Sequence, residues 1–297
     1  MSETTPTNGP ATRRSGAPPW EGWLQVCVLA VLFALLYARI AVSMAQQWWS
    51  DANYSHGFIV PLFSAWLLWK ARRRLAAEPA QPSPAGLLVI FGALAILVLG
   101  VLGAENFLSR TSLLFLLAGM VIYFRGWRFF RAVLFPWAVL FLMVPLPVII
   151  FNRIALPLQF LASRVASGLL AAVGVPVLRE GNVIHLPSLS LDVVEACSGL
   201  RSLVSLVALA VFYGYFFEPR VFRRVVLVLS SIPIAIVANG FRIMGSGLLG
   251  EYWSPDKAEG FFHLFSGWLI FVLSLGLLVL FHGAMGWMDR RLQVRQA

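Results

Sequence analysis

Apolar residues fall in long runs separated by short charged connectors. Eight of these runs predict membrane-crossing helices, at about 24–45, 57–70, 85–103, 109–124, 130–151, 197–217, 223–248 and 262–286. A hydrocarbon core about 30 Å thick needs roughly 20 apolar residues in helical form, which most of these runs supply. The second run is short and extends upstream toward Tyr54. Between Asn152 and Gly174 the pattern changes: Ile154, Leu158, Leu161, Val165, Leu169 and Leu170 alternate with Arg153, Gln159, Ser163, Arg164 and Ser167. That mixture predicts an amphipathic helix lying on the outer membrane surface rather than a ninth crossing. Val177 to Val194 follows with strand-like alternation around Glu180-Gly181-Asn182, predicting a short outer hairpin that delivers the chain to the sixth span.

The charged connectors set an expected orientation. Lys70 to Arg74, Arg125 to Arg131, Arg220 to Arg224 and Arg290 to Arg295 all fall on one side if both termini are cytoplasmic, and Arg13 and Arg14 agree with them. The opposite face receives Asp51, Glu105, Glu180, Asp192, Glu195, Glu251, Asp256 and Glu259. Composition supports the same class: with 59% hydrophobic and 12% charged residues in 297, the chain is a polytopic, all-α membrane protein. Its net charge of +10 comes from clusters at the ends of apolar runs, so it reads as a topology signal and not as a nucleic-acid surface. Residues 1–20, rich in Ser, Thr, Pro and Gly, predict a disordered cytoplasmic tail, and 21–297 a single multispanning domain.

Candidate chemistry concentrates at one depth. Glu195-Ala196-Cys197-Ser198-Gly199-Leu200-Arg201-Ser202 puts a thiol at the mouth of the sixth span, four residues before an arginine that shares its helical face. A nearby cation favours the thiolate, the form that attacks a carbonyl carbon; alternatively Arg201 ties the helix entrance to Glu195. The chain has one other cysteine, Cys27 within the first span, which reads as structural. Asn239-Gly240-Phe241-Arg242 lies toward the outer end of the seventh span, and His263 opens the eighth. An arginine at that level is costly unless it faces water or a partner, which makes it a functional candidate. Thiol, imidazole and guanidinium together supply a nucleophile, proton transfer and a cation for a developing oxyanion, with either Arg242 or His263 in each of the last two roles. Asn239 either orients Arg242 or satisfies a helix weakened by Gly240 and Pro233. Tyr54 and His56, in Tyr54-Ser55-His56-Gly57, either bind substrate or fix the outer loop, whereas His185 and His282 read as structural. Neither a His-Glu-x-x-His helix nor a Cys/His ligand set occurs, so no metal or other cofactor is expected.

At these residues the chain resembles the exosortase and archaeosortase family of membrane transpeptidases. The matching stretches are Glu195 to Ser202, Asn239-Gly240-Phe241-Arg242-Ile243 and His263-Leu264-Phe265-Ser266-Gly267, with Asp51 to Leu62 similar to an early motif of the bacterial branch. The resemblance implies that Cys197, Arg242 and His263 are catalytic. It implies substrates anchored in the membrane by a C-terminal sorting signal: a Pro-Glu-Pro tripeptide, a transmembrane helix and a basic tail. It also implies a bacterial inner membrane, an active site on its outer face, and a lipid or polysaccharide as candidate acceptor for the cleaved protein. Two other classes fit the many spans. A transporter for a lipid-linked sugar would need polar residues or broken helices near the midplane, where the runs are almost wholly apolar. A glycosyltransferase of exopolysaccharide assembly would need large outer loops, and only 152–196 is long.

Overall fold

The structure, a computed structural model, describes residues 19–193, 199–253 and 261–296. It divides into two compact units, Met1–Ser43 and Met44–Ala297. Helix α1 (Pro19–Ser50) supplies the first unit and then continues into the second. The predicted tail at 1–20 lies almost entirely outside the described residues.

In the second unit, α1 is followed by a 3-10 turn (Ser55–Phe58), then α2 (Ile59–Ala77), α3 (Ala85–Leu102), α4 (Asn106–Arg125) and α5 (Trp127–Val139). Helix α6 (Val148–Ala172) leads to strands β1 (Leu178–Glu180), β2 (Val183–His185) and β3 (Ser190–Asp192). Helices α7 (Leu200–Phe217), α8 (Val221–Tyr252) and α9 (Phe261–Gln296) complete the chain. The all-α, polytopic class holds. Among the described residues seven helices are long and apolar enough to cross a bilayer: 27–50, 85–102, 106–125, 148–172, 200–217, 221–252 and 267–289. Large side chains stand exposed along them, including Leu35, Leu88, Leu102 and Leu280, as expected where the surroundings are lipid.

Three expectations are corrected. The run at 130–151 is not one helix: α5 ends at Val139, a 3-10 turn covers Leu140–Met143, and Pro145 and Pro147 withhold the amide donors that would carry the helix on. The following helix therefore starts at Val148, not Asn152, and its 25 residues are long and apolar enough to span. Lastly, the hairpin is a three-stranded antiparallel meander, with β2 paired to β1 (Arg179 opposite Ile184) and to β3 (Ile184 opposite Leu191).

Packing follows residue size. Small residues let α6 and α8 approach closely: Gly240 faces Val165, and Gly247 faces Leu170, so the two helices run in the same direction over this stretch. Ala162, Ala166, Leu170 and Ile243 continue that seam into a core shared with Ile184, Leu186 and Val193 of the meander. The meander is also latched to the end of α8, where Glu251 Oε2 accepts from Ser188 N (3.1 Å) and Ser188 Oγ (2.6 Å).

Candidate active site

Helices α7 and α9 run in one direction and α8 in the other, so the start of α7, the Asn239–Arg242 turn of α8 and the start of α9 lie at the same end of the bundle. Two contacts establish this. Gly199, immediately before α7, is pressed against Asn239: a Cβ there would sit 2.6 Å from Asn239 Cγ. Across the same turn of α8, the Arg242 guanidinium lies over Gly267 of α9, with Cζ and Nη2 each 3.8 Å from where a Cβ would stand. His263 is one turn before Gly267 in α9.

Local chemistry explains why the chain folds this way. Gly199 adopts φ +77°, the left-handed conformation that side-chain-bearing residues rarely accept, and from there its carbonyl accepts from Leu203 N at 2.8 Å to start α7. Asn239 is 1% exposed, and both its chain neighbours, Ala238 and Gly240, are buried too. Upstream, Val193 is buried and its amide donates to Asn182 O at 3.1 Å. The chain between β3 and α7 is thus held at both ends, by the meander and by α8.

Cys197 and Glu195 lie outside the described residues, as does the side chain of His263. Arg242 is partly buried, and Arg201 is exposed on the first turn of α7. The other two predicted residues lie in a different cluster. Tyr54 and His56 are buried against the segment that follows α5: His56 Nε2 is 3.0 Å from Leu142 O, and Tyr54 reaches the Leu146 backbone and packs its ring 6.4 Å from that of Phe151. Trp48 Nε1 donates to Met143 O at 2.8 Å beside them. Burial lowers the His56 pKa below its ordinary 6.5, more than its backbone contacts raise it, so the ring is neutral near pH 7. Burial likewise raises the Tyr54 hydroxyl.

Sequence reasoning missed two kinds of residue here. Gly199 and Gly267 are the places where side chains are absent so that Asn239 and Arg242 have room; the positive φ at Gly199 leaves only a bare Ser-Gly-Leu in the sequence. Arg110, 5% exposed in α4, donates from Nη1 to Gln47 Oε1 at 2.6 Å and lies near enough to Tyr54 to act on its charge. Its place within an apolar run was the available signal.

At the opposite end of α7, α8 and α9 stands a second polar cluster. Glu218, 4% exposed, accepts from Arg220 N (2.9 Å), lies 3.2 Å from His282 Nε2 and 3.5 Å from Arg223 Nη1. Tyr213 Oη is 3.0 Å from His282 Nδ1, and Asp289 pairs with Arg220 at 2.8 Å and with Arg223. Burial alone would raise the Glu218 carboxyl, but the Arg220 amide, His282 and Arg223 outweigh it and hold it below its ordinary 4.5.

Searches of curated proteins and of solved structures each return no match. A family model described as transmembrane exosortase matches residues 48–280, a stretch that contains Tyr54 and His56, Gly199, Asn239, Arg242 and Gly267, and all of the five described spans from 85–102 to 221–252. With three helices meeting around Asn239 and Arg242 inside that match, the chain belongs to the transmembrane exosortases, integral membrane transpeptidases that sort membrane-protein substrates.

Proposed function

We propose that this protein cleaves the C-terminal sorting signal of exported, membrane-anchored proteins through an acyl-thioester on Cys197. The observation that carries the reading is the convergence on one turn of α8: Gly199 against Asn239, and Arg242 over Gly267. Cys197 is two residues from the first contact and His263 one turn from the second.

In this reading the Cys197 thiolate attacks the scissile carbonyl carbon, forming a C–S bond as the carbonyl oxygen takes negative charge. Arg242 stabilises that oxyanion, since a guanidinium stays protonated throughout and offers two directed donors. His263 takes the thiol proton and returns it to the leaving amine, whose departure with the sorting helix leaves the thioester. Water, an amine or a hydroxyl then attacks the thioester and regenerates the thiol. Arg201 favours the thiolate from the first turn of α7, and Asn239 holds both the Gly199 turn and the helix that carries Arg242. Tyr54 and His56 act as a clamp on residues 142–146, consistent with their burial there and with a neutral imidazole.

The basic clusters orient the chain with both termini in the cytoplasm, so the Asn239 end opens on the outer face of a bacterial inner membrane. The substrate's helix then lies in the bilayer beside the enzyme, with a Pro-Glu-Pro-like site at head-group depth and its basic tail inside. Co-expression with a tagged protein bearing such a tail, followed by mass analysis of the new C-terminus, tests the proposal. A free carboxylate marks hydrolysis and an added mass identifies the acceptor. Processing that persists in Cys197→Ala overturns the assignment.

A further inference from the structure

The two halves of the bundle meet through large side chains rather than close backbone packing. Between α2 and α5 on one side and α7 on the other, Phe63 touches Phe212 (ring centroids 4.2 Å), Trp66 packs on Phe216 (5.1 Å), and Phe135 stacks on Tyr215 (5.0 Å). At the end of this aromatic seam remote from Asn239, two cations from different helices converge on one ring. Lys70 Nζ of α2 lies 6.0 Å from the Tyr215 centroid and 5.1 Å from that of Trp66, and the Arg224 guanidinium of α8 lies 5.4 Å from Tyr215. Arg131 stands one turn before Phe135 on the same face of α5.

Among the described residues no carboxylate pairs with Lys70 or Arg224. The nearest acid in sequence, Glu218, gives Arg224 only its backbone oxygen (2.6 Å from Nε), its carboxylate being taken by His282, Arg223 and the Arg220 amide. Glu78 faces Arg128, and Asp289 faces Arg220 and Arg223. Like charges gathered on one ring repel, and the ring's quadrupole offsets only part of that. An anion between them removes the repulsion.

We propose that this site binds an anionic phospholipid, with its phosphate between Lys70 and Arg224 and an acyl chain along the seam of Phe63, Trp66, Phe212 and Phe216. The amphiphile fits on both counts. The cations sit at the charged end of the helices, where head groups lie, and the rings that continue from them are apolar and partly exposed, Phe216 at 49%.

The test is native mass spectrometry of the purified full chain released from nanodiscs of mixed phosphatidylglycerol and phosphatidylcholine. The parent should retain phosphatidylglycerol preferentially. Lys70→Glu should reduce that preference by about fivefold or more, since each basic residue near a charged head group contributes about that factor. Arg73→Glu makes the same charge change one turn away on an equally exposed position, and should leave the preference unchanged. Glycerol phosphate added in solution should fail to displace the lipid, because it lacks the chain. Lys70 is exposed, so its replacement leaves the fold intact, and Lys70→Gln serves as the milder variant. Equal losses in Lys70→Glu and Arg73→Glu, displacement by glycerol phosphate, or no preference in the parent would each overturn the proposal.

Discussion

Helices α7, α8 and α9 carry a histidine, an arginine and a hydrogen-bonding partner at each end, yet the two ends are built in opposite ways. Around Glu218 every polar group meets another: Tyr213 and Glu218 take the two nitrogens of His282, and Arg223 and Arg220 close the cluster onto Asp289. With Glu218 accepting from Nε2, His282 Nδ1 is left to accept from Tyr213, which fixes the ring. The composition is that of an acid–base site, but the contacts are those of a brace. Around Asn239 the crowding is relieved by glycines instead. Gly199 and Gly267 stand where side chains would press on Asn239 or cover Arg242. In the proposed reading, room beside the polar group, and not residue type alone, distinguishes the reactive end.

The largest effect that sharpens this contrast is expected at Arg242. Lysine keeps the charge but replaces a planar fork by a mobile ammonium, so Arg242→Lys should lower turnover by roughly a hundredfold or more, as loss of an oxyanion donor does. Uncleaved substrate should still co-purify with the variant. Ordinary turnover would make Arg242 an anchor and leave Arg201 as the catalytic cation.

Gly199→Ala comes next. It adds a Cβ 2.6 Å from Asn239 Cγ at a φ of +77°, so the backbone at Gly199, two residues after Cys197, must shift. A displacement near 1 Å at reacting groups costs about a hundredfold in rate. The variant should remain in the membrane at normal abundance with little processing; parental turnover would show that the Gly199–Asn239 contact does not position the nucleophile.

The ionic end should answer differently. Glu218→Leu leaves Arg223 and His282 without their shared carboxylate, and breaking a buried charged network costs about 3 kcal/mol. Thermal unfolding in detergent should occur at lower temperature while the folded fraction processes substrate near the parental rate. A selective loss of turnover without a loss of stability would give this end a part in the chemistry.

Acidification separates two further regions by small effects. Native His56 has a lowered pKa, so below 6.5 the unfolded chain takes up a proton that the native chain resists, and stability falls as pH drops from 6.5 toward the native value. Glu218 is also lowered, but from 4.5: its stabilisation is complete above 4.5 and is lost as pH falls through the native value below that. Unfolding curves of His56→Gln should lose the first phase and keep the second, and those of Glu218→Gln the reverse. Variants that flatten the same interval would link the two regions.

The apolar runs made the helices legible, because each must bury its backbone polar groups within itself in lipid, and α3, α4, α7 and α8 fall where their runs do. Pro145-Leu146-Pro147 was equally visible but was absorbed into a long apolar window, so the break before α6 was missed. The meander escaped because its strands are three residues each, too short for alternation to distinguish two from three. At the site, Gly199 and Asn239 come together because Gly199 has no side chain to hold them apart, and Arg242 lies one turn further along α8 beside Gly267. That Tyr54 and His56 belong to a separate cluster was not readable, since their partners are backbone carbonyls near Leu142 and Leu146, which leave no trace in side-chain identity.

The central claim is that Cys197 carries the substrate. Enzyme co-expressed with a tagged substrate, purified under denaturing conditions and digested, should yield a peptide containing Cys197 joined to the substrate's new C-terminus by a bond that neutral hydroxylamine cleaves. Arg242→Lys and Cys197→Ala should both lack it. Substrate joined to any other residue, or processing with no such adduct that continues in Cys197→Ala, would contradict the account.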